Sequence, residues 1–206
     1  GFPVETDLEK ALANKPDAVV ISNPSSLHLP VALAAVHSGC HIFLEKPVAY
    51  SHRGTKELIQ AVNDKKVVAA VGFQFRFHPG LQAVYELIQQ GKLGKIVSVS
   101  ATWGEYLPGW HPWEDYRKGY AARQDLGGGV VRTLCHPLDY LTWMFGKVKT
   151  VSASVLATGI LDIAVDDLAE IDLAFASGVQ GHVHLDYHRQ PGKHTLGITG
   201  TEGTAE

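Results

Sequence analysis

The segment Glu45-Lys46-Pro47 combines residue types that can do proton chemistry. A lysine can stabilise or transfer a proton at a hydroxyl or carbonyl oxygen, because burial and neighbouring charges can bring its pKa toward neutrality. The segment follows the apolar run His41–Leu44, which predicts a strand, and residues beyond the carboxyl ends of parallel strands line the ligand crevice of open α/β sheets. Pro47 fixes the backbone beside Lys46 and permits a cis peptide bond. The alternative is an exposed Glu-Lys pair where a strand simply ends.

A second polar segment, Asn23–His28 (NPSSLH), follows the apolar run Ala18–Ser22. The run predicts a strand buried on both faces, so this segment also lies at a carboxyl end. Backbone amides and hydroxyls at the following helix start favour polar groups of a ligand. The alternative is an ordinary helix start capped by Ser25 or Ser26.

A third segment places a histidine after consecutive glycines. Gly127–Gly129 open a predicted helix, Val131–Phe145, which carries His136 about two turns in and Asp139 on the same face. A neutral histidine beside a carboxylate can accept a proton near pH 7. The alternative is a core histidine whose hydrogen bonds are satisfied by Asp139.

The long segment Gly104–Asp125 is rich in aromatic and charged residues that suit a sugar or cyclitol. Indole and phenol rings stack on C–H faces, while carboxylates and guanidinium groups hold hydroxyls; the residues concerned are Trp110, Trp113, Tyr116, Asp115, Arg117 and Arg123. The alternative is an ordinary surface loop that covers the sheet.

His182, His184, Asp186 and His188 alternate along one predicted strand and therefore share a face. Such spacing can bind a metal ion, but strand alternation alone also produces it. We expect a polar sheet face without a metal, with Val183, Leu185 and Tyr187 on the opposite, helix-covered side.

Two successive patterns of predicted elements position these segments. Up to Gly91 short strands alternate with helices, which predicts a parallel sheet. The predicted strands are Ala18–Ser22, His41–Leu44 and Val67–Phe73. The predicted helices are a first one opened by the capping box Thr6-Asp-Leu-Glu9, then His28–Ser38, a third from Ser51 to about Lys65, and Gly80–Gln90. After Gly94 strands dominate, which predicts a mostly antiparallel sheet; they are Lys95–Trp103, Thr150–Leu156, Ala169–Ala176, Val179–Tyr187 and His194–Thr199.

Composition excludes several classes of protein. The 206 residues are 45% hydrophobic and 19% charged, with a formal net charge of -3, so the basic footprint of a nucleic-acid-binding protein is missing. No apolar run approaches the ~18 residues of a membrane span. The two cysteines, Cys40 and Cys135, cannot build a disulfide framework, and we expect a cytoplasmic protein.

The order of NPSSLH, EKP, Gly72–Pro79 (GFQFRFHP) and a glycine triplet followed by a helical histidine resembles the Gfo/Idh/MocA family of nicotinamide-dependent oxidoreductases. The resemblance runs from about Val4 to Glu206, and EKP is its most specific motif. It implies an α/β fold in which residues 1–93 are the C-terminal part of an NAD(P)-binding Rossmann domain. Residues 94–206 would then be a truncated α+β domain with a large open sheet, used for substrate binding and oligomerisation.

The resemblance also implies roles for individual residues. Lys46 matches the active-site lysine, and His136 matches the histidine that accepts a proton as hydride leaves carbon. The implied contacts with NAD or NADP are made by Ser22, Asn23, Pro24, His28, Glu45, Lys46, Pro47 and Gln74. With the aromatic segment, the expected substrate-binding set is Arg76, Trp113, Tyr116, Arg123, Arg132 and His136.

The sequence departs from the family pattern in two places. Many members have an Asp four residues before the histidine, where this chain has Arg132. The sequence also contains no GxGxxG turn, and both of its ends fall within the expected architecture. We therefore expect a fragment without the N-terminal glycine-rich segment and the C-terminal end, which binds a dinucleotide poorly by itself.

The predicted function is hydride transfer between NAD or NADP and a secondary alcohol or ketone of a sugar, cyclitol or related polyhydroxylated molecule. The alternative is a non-catalytic protein of the same fold that senses a dinucleotide or a sugar. Lys46 together with His136 favours the enzyme, because a sensor needs neither for proton transfer. Family members commonly pair through the open sheet, so we expect a homodimer or homotetramer.

Overall fold

A computed structural model describes residues 4–206, which form two compact units. The first unit comprises the chain up to Gly72 together with Asp125–Gly127. The second comprises Phe73–Gln124 and Gly128–Glu206.

The first unit contains a parallel sheet of three strands in the order β1-β2-β3. The strands are β1 (Ala18–Ile21), β2 (His41–Leu44) and β3 (Ala69–Val71), and the helices are α1 (Leu8–Ala13), α2 (His28–His37) and α3 (Thr55–Lys65). Its core gathers alternate strand residues and the small residues of α2, namely Ile21, Ile42, Leu44, Ala32, Ala35 and Val36. The predicted alternation of strands and helices is confirmed.

Two predicted helix starts are wrong. The N-terminal cap of α1 is Asp7, not Thr6, because the Asp7 carboxylate accepts the amide protons of Glu9 and Lys10 at 2.9 and 3.2 Å. Ser51 does not cap α3, which begins at Thr55 after Gly54 in the left-handed conformation.

The prediction that β1 is buried on both faces is also wrong for the described residues, since Val20 on this strand is 71% exposed. Alternation along the strand leaves Ile21 as its buried residue. The strand β3 is shorter than the predicted Val67–Phe73, because its pairing with β2 covers Ala69 to Val71.

The second unit contains a sheet of six strands in the order β5-β6-β7-β4-β8-β9. The strands are β4 (Ile96–Tyr106), β5 (Val148–Leu156), β6 (Leu168–Phe175), β7 (Gln180–Asp186), β8 (His188–Gly200) and β9 (Thr204–Ala205). Strand β4 pairs with β7 in parallel, and the other neighbouring pairs are antiparallel. The predicted mostly antiparallel sheet is confirmed.

One face of this sheet is buried. Val183, Leu185 and Tyr187 are fully buried, as the alternation predicted. They belong to a core that also contains Tyr140 and Leu141. Short helical turns occupy much of the predicted loop, at Leu107–Gly109, Tyr116–Lys118, Tyr120–Ala122 and Gln124–Leu126.

Helix α4 (Pro79–Gln89) belongs to the second compact unit. Its Leu81 is part of the core of that unit, and Val84 and Ile88 pack against the same core. The compact units therefore change at Gly72, about twenty residues before the domain boundary predicted at residue 93, and that boundary stays a prediction.

The predicted helix Val131–Phe145 is two helices, α5 (Val130–Thr133) and α6 (His136–Phe145). The break lies at Leu134, whose backbone leaves the helical region, and Pro137 restarts the helix at a position where no amide proton is required. His136 is thus the first residue of α6 rather than a residue two turns into one helix.

No helix in the part of the chain that the structure describes is long and apolar enough to cross a membrane.

Candidate active site

The segments after β1 and β2 lie at the same edge of the parallel sheet. Ile21 is paired with Leu44 in register, and the Glu45 amide donates to the Ile21 carbonyl at 2.8 Å. Lys46, half-buried, follows directly, and the Lys46–Pro47 peptide bond is cis. The sheet therefore gathers the NPSSLH and EKP segments where ligand crevices form.

His28 joins these two segments. Its ring is 1% exposed, with Nδ1 2.8 Å from the Pro47 carbonyl oxygen and Nε2 2.8 Å from the Asn23 carbonyl oxygen. Both ring nitrogens are thus engaged by the protein's own backbone. The contact with a cofactor predicted for His28 would have to replace one of these bonds.

The carboxylate of Glu45 lies against the end of β3. The Gly72 amide donates to the Leu44 carbonyl at 2.7 Å, and a Cβ on Gly72 would lie 3.3 Å from that carbonyl oxygen and 3.4 Å from Glu45 Oε2. The same oxygen accepts the Lys46 amide at 3.3 Å. The Glu45 carboxylate therefore packs against the backbone at Gly72.

In the NPSSLH segment, Asn23 and Ser25 have different environments. The Ser25 hydroxyl donates to the Gly127 carbonyl at 3.2 Å and is buried, which anchors the loop. Among the described residues, Asn23 Oδ1 is buried and has no hydrogen-bond partner. Buried acceptors are normally satisfied, so this atom has the capacity to hold a ligand donor. Ser22 is exposed and Pro24 half-buried.

In the second unit, His136 is buried among aromatic rings. The Phe75 ring lies 4.6 Å from it, the Trp103 ring stacks at 5.4 Å, and the Phe73 ring meets it edge-on at 5.9 Å. These rings fix the plane of the imidazole. Gln74 lies between the two phenylalanines, in the helical turn Gln74–Phe77.

Asp139 does not pair with His136, as the sequence suggested, but with Arg76. Nε and Nη2 of Arg76 donate to the two carboxylate oxygens at 2.8 and 2.6 Å. Both residues lie in the first turn of α6, but the planar fork of Arg76 matches the carboxylate, while His136 packs among the rings. The hydrogen bond with Asp139 raises the pKa of Arg76 above its ordinary value.

Sequence reasoning missed Trp103 and His194. The Trp103 ring lies between His136, at 5.4 Å, and His194, which stacks on it at 4.2 Å. Burial in this stack, together with the charge of nearby His78, lowers the pKa of His194 to about 4. The pair follows from the register of β4 with β8, which no local pattern reveals.

Three of the residues predicted to bind substrate differ in their surroundings. The Tyr116 hydroxyl donates to the Leu161 carbonyl at 2.8 Å, so it holds the loop together. Trp113 is 80% exposed, and Arg123 is exposed as well.

The charged residues Asp115 and Arg117, expected to hold hydroxyls, form an ion pair at 2.9 Å. Arg117 also reaches Asp162 at 3.2 Å. The hydrogen bonds from Arg117 lower the pKa of Asp115, and those to Asp115 raise the pKa of Arg117.

Arg132 supports the glycine turn. Its Nε and Nη2 donate to the Gly128 carbonyl at 2.9 and 2.7 Å, and its guanidinium lies 3.8 Å from Asp166. Asp166 accepts the Val131 amide at 2.9 Å. Gly129 has a φ of 115°, and a Cβ there would overlap the Asp166 carboxylate. The turn therefore depends on glycine, and Arg132 braces it.

His182 and His184 are paired with carboxylates of the neighbouring strand β6 and, at Asp186, of their own strand β7. His184 lies 2.6 Å from Glu170 and 2.8 Å from Asp186, and His182 lies 2.9 Å from Asp172. Burial raises the pKa of Asp186, but hydrogen bonds led by that from His184 outweigh burial and leave it below its usual value.

The prediction that His188 shares this strand is wrong, because β7 ends at Asp186 and β8 begins at His188. There His188 contacts the buried Asp167 at 3.2 Å.

Comparison with protein families gives two matches that together cover most of the chain. Residues 81–206 match a model described as the GFO/IDH/MocA C-terminal domain. Residues 1–73 match a model described as an oxidoreductase family with an NAD-binding Rossmann fold.

Individual proteins are also similar. Levoglucosan dehydrogenase from Pseudarthrobacter phenanthrenivorans is 28% identical over 99% of this chain and 59% of its own length. Inositol 2-dehydrogenase from Rhizobium meliloti is 31% identical over 80% of this chain and 48% of its own length.

Among solved structures, the WlbA dehydrogenase from Bordetella pertussis, in complex with NADH and UDP-GlcNAcA, superposes with a TM-score of 0.88. The two sequences are 26% identical, and the superposition covers 97% of this chain and 58% of the WlbA chain. The match thus covers between 48% and 59% of the length of these proteins.

Proposed function

The chain belongs to the GFO/IDH/MocA family of oxidoreductases, and from this membership we propose that the whole protein is an NAD-dependent dehydrogenase or reductase. It acts on a secondary alcohol or ketone of a sugar, cyclitol or similar polyhydroxylated molecule. The observation that carries the proposal is the gathering of the NPSSLH and EKP segments at one edge of the parallel sheet.

The residues at this edge fit a nicotinamide cofactor. The unsatisfied Oδ1 of Asn23 can accept a hydrogen bond from a ribose hydroxyl or from the carboxamide. Pro24, Glu45 and Pro47 border the same edge, and we propose that they flank the cofactor, with Gln74 as a further contact. The chemistry that bound NAD supplies is the acceptance or donation of a hydride.

The protein's own residues must then position the substrate and move one proton. We propose that Lys46 donates a hydrogen bond to the reacting oxygen, and that His136 accepts the hydroxyl proton when an alcohol is oxidised. A positioned base of this kind contributes about two to four powers of ten in rate. The aromatic rings around His136 exclude water and hold its imidazole plane.

The substrate class rests on the relatives, which act on levoglucosan and on inositol according to their names. Trp113 and Arg123 are exposed in the aromatic segment, and we propose that they contact a polyhydroxylated ring. Arg76, Tyr116 and Arg132 are engaged by the protein itself, so we propose that they shape the substrate site rather than bind the substrate directly.

We further propose that the whole protein is a cytoplasmic homo-oligomer that associates through the open face of the six-stranded sheet. The face combines short residues, such as Ser100 and Gly197, with polar ones such as His182, and we propose that a second copy of the sheet packs there. Ser100 is paired with both Gly197 and His182, and directly paired residues point to the same side.

The test is to supply the whole protein with NAD and NADP and a panel of anhydrosugars and cyclitols, and to follow reduced nicotinamide by absorbance. Lys46→Ala should lower turnover at least about 100-fold and leave NAD affinity within about threefold. Lys56→Ala, on the exposed side of α3, is the matched control. Absence of turnover with every substrate would contradict the enzyme, and NAD binding without turnover would support the sensing alternative.

A further inference from the structure

His28 makes contacts that its role in a ligand crevice does not require. The residue begins α2, is 1% exposed, and lies between the segments that follow β1 and β2. Nδ1 is 2.8 Å from the Pro47 carbonyl oxygen, and Nε2 is 2.8 Å from the Asn23 carbonyl oxygen. Both distances lie within the range of N–H···O hydrogen bonds.

The chemistry of the two acceptors determines what the ring must donate. A carbonyl oxygen has lone pairs and no proton, so each of these contacts needs a proton on the ring nitrogen. A neutral imidazole has one N–H and one bare nitrogen. With a neutral ring, one contact would therefore set two lone pairs against each other at 2.8 Å in a buried place.

We infer that His28 carries a proton on both ring nitrogens and acts as a positioning residue, clamping the NPSSLH segment to the EKP segment. The two carbonyl dipoles stabilise the charged ring through charge-assisted hydrogen bonds. The ionisable side chains on the clamped segments are Glu45 and Lys46, which are of opposite charge.

The clamp acts on Lys46 through the neighbouring residue. The hydrogen bond from Nδ1 fixes the carbonyl of Pro47, which directly follows Lys46, while the hydrogen bond from Nε2 fixes the carbonyl of Asn23. Loss of the hydrogen bond from Nδ1 lets the backbone beside Lys46 move. The consequence for catalysis rests on the proposed function, but the protonation state does not.

The first experiment examines the wild-type whole protein without substrate. Histidine labelled with ¹⁵N should give two slowly exchanging N–H signals for His28 at neutral pH, assigned by their loss in His28→Gln. A single N–H signal would overturn the inference, whether or not the protein proves to be an enzyme.

The second experiment separates the effects of the two hydrogen bonds of His28. The amide nitrogen of Asn is as many bonds from Cα as Nδ1, and that of Gln is as many as Nε2. His28→Asn can therefore keep the bond to Pro47, and His28→Gln can keep the bond to Asn23. We expect kcat to fall about 10- to 100-fold in His28→Gln and about threefold in His28→Asn, because small misplacements of catalytic groups are costly.

His37→Gln is the control, at the exposed end of the same helix, and should leave kcat unchanged. Equal losses in the Asn and Gln variants would overturn the positioning role, since a residue that only fills space makes no such distinction. Two N–H signals with unequal losses would support both parts.

Discussion

Arg76 and Asp139 are 63 residues apart in the sequence and form a bidentate ion pair, with N–O distances of 2.8 and 2.6 Å. Asp139 lies in the first turn of α6, the helix that begins at His136, and Arg76 follows Phe75, whose ring lies on His136. The pair thus ties the segment bearing the ring to the helix bearing the histidine. It braces His136 without touching it.

The first prediction concerns this brace. Asp139→Asn removes the charge that the guanidinium fork binds, and we expect unfolding free energy to fall by about 1–2 kcal/mol, since Arg76 is half-exposed and solvent screens it. Urea denaturation of the variant measures the loss. In the whole protein kcat should fall about tenfold, because Phe75 is freed to move against His136.

The control for the brace is Asp162→Asn, which removes an ion pair between exposed side chains, with Arg117. Such pairs contribute little, so stability should change by less than about 0.5 kcal/mol. An equal loss in both variants would contradict a special role for Asp139.

The second prediction concerns the glycine turn. Gly129→Ala must place a Cβ against Asp166 at a φ of 115°, and we expect a loss of about 3 kcal/mol or more. Gly91→Ala is the control, because Gly91 also has a positive φ, of 67°, but open space around it. Its cost should be about 1 kcal/mol. Thermal unfolding of both variants decides whether the close approach to Asp166 adds to backbone strain.

The sequence predicted the helices and strands better than it predicted the contacts between distant side chains. Short apolar runs bounded by turn residues identified β1 and β2, and β2 matched residue for residue, because burial and strand propensity agree there. The same local rules placed His136 inside one long helix. They failed because the backbone leaves the helical conformation at Leu134, and Pro137, a local signal for a helix start, was not read as one.

The candidate site could be predicted in part for the same reason. Lys46 and Asn23 lie at strand ends, a position that the order of elements defines. The partners of Asp139, His28 and Trp103 are set by contacts between distant parts of the chain. No local pattern in a single sequence encodes such contacts, so Arg76 and His194 were not predicted as those partners.

The third prediction concerns pH. Burial in the stack on Trp103, with the charge of His78, holds the pKa of His194 at about 4, below the ordinary 6.5. Between these values the unfolded chain binds a proton that the folded chain does not, so stability should fall as pH decreases from about 7 to about 4. An NMR titration should show no change in the His194 ring above pH 5.5.

The control variant is His194→Gln. In it, the urea concentration at the midpoint of unfolding should depend less on pH between about 7 and about 4. A His194 ring whose chemical shifts change around pH 6.5, the ordinary histidine value, would contradict the prediction.

The fourth prediction concerns association through the open face of the six-stranded sheet. Ser100→Arg places a large charged side chain on the face that Ser100 shares with Gly197 and His182, and should convert the whole protein to monomers in light scattering. Ser177→Arg, in the exposed hairpin turn, is the control and should leave the assembly intact. A wild-type monomer would contradict the proposed oligomer.

The last prediction separates two roles for Arg132. The resemblance to the family suggested substrate binding, whereas the structure has its Nε and Nη2 on the Gly128 carbonyl. A lysine has no planar fork and cannot reproduce this two-donor contact. If Arg132 braces the turn before His136, Arg132→Lys should lower kcat about tenfold and leave KM for the substrate nearly unchanged.

A substrate-binding role for Arg132 would instead raise KM and leave kcat nearly unchanged, because an interaction equal in the ground state and the transition state is lost. Arg123→Lys provides the matched comparison, since Arg123 is an exposed arginine of the aromatic segment that we propose to contact substrate. We expect it to show the KM effect that Arg132→Lys lacks. The same KM effect in both variants would return Arg132 to the substrate-binding set.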